Sequence, residues 1–212
     1  MKEDLTVDVN WGNPSSYRNT ALHLCAAEEN LWLLALLLAH PKIDVNKKNA
    51  GGWTPLLWAC KDGRLESVVV LLKDPRVDVN MVNLEGVTAL WLTAFRGWSE
   101  IARWLVVCRS AELDLSLSTN DLHLAYPNTS ALDIARRDDG KQFWDNDSTW
   151  WMRTKGRRDV QALLTRFVLD KELTTFEARL ELALKGKLKQ QQTATTIRSN
   201  TCQLFCTLQM PR

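Results

Sequence analysis

The sequence predicts an all-α solenoid of stacked helix–turn–helix units, joined by short hairpin loops and closed by a C-terminal capping helix. Two recurrences carry this. Asp44-Val45-Asn46 returns as Asp78-Val79-Asn80, 34 residues on, and Asp8-Val9-Asn10 stands 36 residues before. Thr20-Ala21-Leu22, Thr54-Pro55-Leu56 and Thr88-Ala89-Leu90 share the 34-residue spacing, and Ser130-Ala131-Leu132 follows after 42. A period of this length marks a repeat array, because one unit cannot bury its apolar face alone.

Each element has a local reason. Thr20, Thr54, Thr88 and Ser130 stand just before helical patterns, where a hydroxyl accepts from an orphan N–H of the first turn. Pro55 occupies a first helical position, which needs no N–H donor. Small residues follow (Cys25, Ala26, Ala59, Cys60, Thr93, Ala94, Ala135) and let neighbouring helices approach. Gly63 and Gly97 fall where a left-handed residue ends the short helix. Glu29 takes that place in the first unit, beside Asn30, which tolerates the left-handed conformation. Second helices are expected over 31–39, 65–73 and 99–107, with apolar residues such as Val68, Leu71 and Leu72 at helical spacing. Asp-Val-Asn and a later glycine (Gly52, Gly86) suit the turn into the next unit.

The run Thr54-Pro55-Leu56-Leu57-Trp58-Ala59-Cys60-Lys61-Asp62-Gly63, nearly repeated along residues 8 to about 168, resembles the ankyrin-repeat family. The resemblance implies helix pairs with a projecting turn or hairpin, stacked into a curved solenoid. The family's His after Thr-Pro-Leu survives only as His23; Leu57, Trp91 and Asp133 replace it. Units are expected at about 8–43, 44–77, 78–113 and 114–168. The last carries an inner helix from Ala131 to Arg137, an insertion over about 138–158 and an outer helix over 159–164. The insertion holds Phe143, Trp144, Trp150 and Trp151, read as a recognition loop or, preferably, as a lid that buries them. A capping helix is expected within 169–189, with Leu173, Phe176, Leu180 and Leu184 as its apolar stripe and Glu181–Lys185 as a pair four apart. The composition of 190–212 predicts disorder. With no capping helix before Val7, the chain also reads as a targeting fragment of a larger multidomain protein.

Charge is uneven. Residues 1–152 carry 15 basic and 20 acidic side chains, and 153–189 carry 10 and 5. The basic segment is a solvated helix face or, as the alternative function, a binder of nucleic acid or another acidic surface through Arg153, Lys155, Arg157, Arg158, Lys185, Lys187 and Lys189. No nucleic-acid fold motif supports that alternative, so a nucleic-acid partner is disfavoured. Five irregularly spaced cysteines suit a reducing setting, which places the protein inside the cell, in the cytoplasm or the nucleus. The longest apolar run is too short to span a bilayer.

No catalytic motif is present. His23, His40 and His123 are scattered, phosphate-cradling glycine loops are absent, and Cys25 and Cys60 sit at small-residue core positions. Asp145-Asn146-Asp147 lacks the glycine and distal glutamate of a calcium loop. The expectation is therefore a non-enzymatic monomer, without cofactor or metal, that binds a protein partner. The resemblance implies that the partner meets the hairpin tips and the concave face. By position these are Lys48, Trp53, Lys61, Asp62, Leu84, Glu85, Val87, Phe95 and Arg96, with Trp98 close by. Trp58 is expected to be buried. Trp53 and Phe95 are expected either to form one exposed apolar anchor or to pack on their neighbours.

Overall fold

The computed structural model describes residues 8–109, 112–121, 126–137, 150–172, 174–175, 177–183 and 185–186, with the side chains of 150–154 left out. Phe143, Trp144, the side chains of Trp150 and Trp151, His123, Asp145-Asn146-Asp147, Cys202, Cys206 and the tail 190–212 therefore lie outside the described residues. The elements are α1 (Ala21–Glu28), α2 (Leu31–Leu38), α3 (Pro55–Lys61), α4 (Leu65–Leu72), α5 (Ala89–Arg96), α6 (Ser99–Arg109), α7 (Ala131–Arg136) and α8 (Trp150–Leu169). Among the described residues no strand is present, only isolated bridges such as Asn13 with Asn19. This is an all-α repeat solenoid.

Hydroxyl residues start the inner helices. Thr54 Oγ1 accepts from Leu57 N–H (3.2 Å), Thr88 from Trp91 N–H (3.0 Å) and Ser130 Oγ from Asp133 N–H (3.2 Å). The inner helices α1, α3, α5 and α7 stack in one row and α2, α4, α6 and α8 in a second. Between the rows lie fully buried Leu22, Leu34, Leu57, Leu71, Leu105, Ile134 and Leu164. At the end of α1, Glu29 itself takes the left-handed conformation (φ 55°). Asn30 is not the left-handed residue, because its Oδ1 caps α2 by accepting from Leu33 N–H (3.2 Å).

The Asp-Val-Asn recurrence forms a ladder between units. Asn10 Nδ2 donates to Lys42 O (2.8 Å), and Asp44 N–H donates back to Asn10 Oδ1 (2.8 Å). Asn46 does the same with Arg76 O (2.8 Å) and Asp78 N–H (2.9 Å). Asn80 does it with Glu112 O and with Asp114 N–H (3.0 Å). The hairpin tips are also chained: Ala50 N–H donates to Tyr17 O (2.8 Å), Leu84 N–H to Gly51 O (3.3 Å) and Asn120 N–H to Glu85 O (2.9 Å).

α8 starts at Trp150, inside the stretch expected as an insertion, and continues well beyond 159–164. Its buried stripe is Gly156, Val160, Leu164 and Phe167, at helical spacing. Gly156 lies against Gly97, where an added Cβ would stand 2.0 Å from the Gly97 carbonyl oxygen. The residues described between 171 and 186 are helical, and they pack on α6 and α8. The expected stripe is corrected at Leu180, which is 52% exposed, while Thr174, Thr175 and Ala178 are buried. Leu173, Phe176 and Leu184 lie outside the described residues. Ion pairs set this rotation: Glu177 meets Arg166 (2.9 Å), Glu181 meets Arg103 and Lys185 meets Glu100. The expected Glu181–Lys185 pair is thus replaced by two pairs to α6.

Candidate functional site

Between the first two hairpins and α3 lies a groove of about 290 Å³, lined by Tyr17, Asn49, Gly51, Trp53, Trp58 and Lys61. Trp53 is fixed by its backbone. Its N–H donates to Asn49 Oδ1 (2.9 Å), and its carbonyl accepts from Asn49 N–H (3.0 Å) and from the His23 ring at Nε2 (2.9 Å). His23 is fully buried. Thr20 N–H donates to its Nδ1 (3.2 Å), so that nitrogen is the acceptor and Nε2 carries the proton given to Trp53. Burial holds the His23 pKa below its ordinary value, outweighing the opposing effect of the Trp53 hydrogen bond.

The groove's side chains are half open. Lys61 Nζ stands 5.3 Å from the Trp53 ring centroid, a cation–π contact. Trp58, expected to be buried, is only half-buried: it packs edge-on against His23 at 5.8 Å and forms a groove wall. Tyr17 is 78% exposed with φ 50°.

A second cluster is centred one unit along. Trp91 stacks on Phe95 at 5.1 Å, and Tyr126 meets Phe95 edge-on at 5.6 Å. Arg157 of α8 donates from Nε to Phe95 O (2.8 Å) with its guanidinium 5.1 Å from the Phe95 ring centroid. Arg96 stands 5.8 Å from the same ring and Arg137 5.2 Å from Tyr126.

The structure therefore divides the expected surface. Lys48, Asp62, Leu84 and Glu85 are exposed, while Trp53, Lys61, Phe95 and Arg96 are half-buried. Val87 does not belong to the surface: it is 2% exposed, because the hairpin turns it into the core beneath Asn83. Trp98 lies over Gly63, whose φ of 70° and close ring contact (2.7 Å to an added Cβ) exclude a side chain there. Trp53 and Phe95 fall in different clusters. Tyr17, Tyr126 and Arg137 were not expected at the surface, and Arg157, expected in the basic segment, joins the Phe95 cluster. Arg137 had a signal: it follows Phe95 by the 42-residue offset that relates the third and fourth units.

Cys25 and Cys60 are buried, and burial pushes both thiols up, away from nucleophilic thiolate. Among the described residues, no group of three or more His, Cys, Asp or Glu could hold a metal ion. No helix there is long and apolar enough to cross a membrane. What the surface offers is aromatic area and charge.

A family model for ankyrin repeats, in three copies, matches residues 3–83. Over that stretch the repeats match the ankyrin-repeat pattern. Ankyrin repeats are in general protein–protein interaction modules rather than enzymes. The chain is also similar to SMC5-SMC6 complex localization factor protein 1 of Mus musculus, 38% identical over 64 residues, and of Bos taurus, 39% identical over 59. These segments are 30% and 28% of this chain and 6% of either relative, so the likeness spans a small part of those proteins.

Proposed function

We propose that this chain is a non-catalytic scaffold that holds a protein partner on the face formed by its ankyrin hairpin tips and inner helices. The observation that carries the reading is the groove at Trp53. A large aromatic stands half-open, its backbone fixed by three hydrogen bonds, with Tyr17, Trp58 and Lys61 around it. Tryptophan and tyrosine in a partly desolvated pocket are what interface hot spots are made of. Leu84 extends the apolar surface along the next hairpin, 62% exposed. We place the protein inside the cell, where its buried Cys25 and Cys60 stay reduced, as a monomer without cofactor. The name of the relatives agrees with a nuclear setting.

The test is capture from nuclease-treated lysate, followed by titration of the purified captured protein. Trp53→Ala should weaken that titration by roughly a hundredfold, the scale of a hot-spot truncation. Lys48→Ala, at the rim, should change it less than about threefold. Equal affinities for wild type and Trp53→Ala would overturn the reading.

A further inference from the structure

The second cluster differs from the first in charge. At the inner-helix ends the aligned pairs are Ala27-Glu28, Lys61-Asp62, Phe95-Arg96 and Arg137-Asp138, so arginine enters at the third and fourth units. α8 adds Arg157 to the same place and carries exposed Lys155 and Arg158 beside it. Resting on the scaffold reading, we propose that Arg96, Arg137 and Arg157 form the docking point for an acidic peptide segment of the partner.

Three observations carry this. The guanidiniums of Arg96, Arg137 and Arg157 are held at ring faces within 5.1 to 5.8 Å of their centroids. A guanidinium held by a ring is pre-ordered, and its planar fork matches a carboxylate in two parallel hydrogen bonds. Arg96 Nε has no hydrogen-bond acceptor among the described residues. Asp133, the acid of α7, accepts instead from Ser130 Oγ and Ser130 N–H at the helix start. Acidic motifs are read by such arginine clusters.

The rings argue against single-stranded nucleic acid. Base stacking needs an open aromatic face. Here Trp91 is 3% exposed, and Phe95 is covered by Trp91, Tyr126 and two guanidiniums. The faces are spent on holding the arginines.

The experiment is fluorescence anisotropy on the full chain with a labelled peptide of alternating glutamate and leucine, and with a labelled oligothymidylate. The expected result is saturable peptide binding that Arg96→Gln/Arg137→Gln weakens tenfold or more (roughly). Arg96→Lys/Arg137→Lys, which keeps the charge and loses the fork, should fall between. Lys42→Gln/Lys47→Gln, exposed at the other end of the array, should leave binding within about twofold. Thermal melts confirm folding, and the lysine pair carries the result if the glutamine pair does not fold. No binding by wild type, or equal binding by every variant, overturns the proposal. So does an oligothymidylate that binds more tightly than the peptide and weakens steeply with salt. The scaffold reading fails separately: if the captured partner loses affinity in Trp53→Ala but not in the arginine variants, the scaffold stands and the acidic segment falls.

Discussion

Nε2 of His23 donates to Trp53 O whether the ring is neutral or protonated, but Nδ1 accepts from Thr20 N–H only while the ring is neutral. Its folded pKa lies below the ordinary 6.5. The unfolded chain therefore binds the proton more readily, and the stability that neutral His23 contributes is complete above pH 6.5. It is lost as pH falls below that value, at up to about 1.4 kcal/mol per pH unit. Melts between pH 7.5 and 5 should show the wild type losing stability more steeply than His23→Gln; parallel slopes would mean that His23 does not titrate with unfolding. At this scale the sequence is only half legible. The capping hydroxyls of Thr54, Thr88 and Ser130 can be read because a cap is a local event. The half-open state of Trp58 cannot, because it depends on a hairpin brought in from another unit. The same holds for Val87, whose burial follows from a turn around Asn83.

Among elements, α8 was the hardest to place. Its start, Trp150-Trp151-Met152, joins aromatics to a basic run. Its stripe begins with a glycine, a residue that the search for apolar periodicity passes over. The structure gives Gly156 a reason, since it lets α8 touch Gly97. Gly156→Ala should destabilise by about 1–3 kcal/mol through overpacking. Gly186, with nothing within 4 Å of an added Cβ, should respond in the opposite sense. Gly186→Ala should stabilise by about 0.5–1 kcal/mol, by helix propensity alone. Urea titrations of the two variants check both signs. The element ends at Arg109 make the same point. This residue is 8% exposed, donates to Leu72 O (3.3 Å) and to Asp74 O, and pairs with Glu112 (3.1 Å). A lone arginine in the sequence shows none of that.

At the scale of the whole molecule, the period was legible because it is written twice, in the turns and in the helix starts. The two aromatic clusters were not, since each gathers residues from elements far apart in the chain: Tyr17 with Trp53, and Phe95 with Tyr126 and Arg157. The asparagine ladder has one more consequence, and it is mechanical. Each joint between units is pinned by one asparagine making a donor and an acceptor bond, so a chain pulled from its two ends should tear joint by joint. Each rupture within residues 8–113 would free a unit of about 34–36 residues, roughly 110–130 Å of extended polypeptide. Under optical tweezers the extension trace should rise in a sawtooth of that spacing. Asn46→Ala should lower a single tooth and leave the others at full height, so that a solenoid of this kind yields to load by measured lengths.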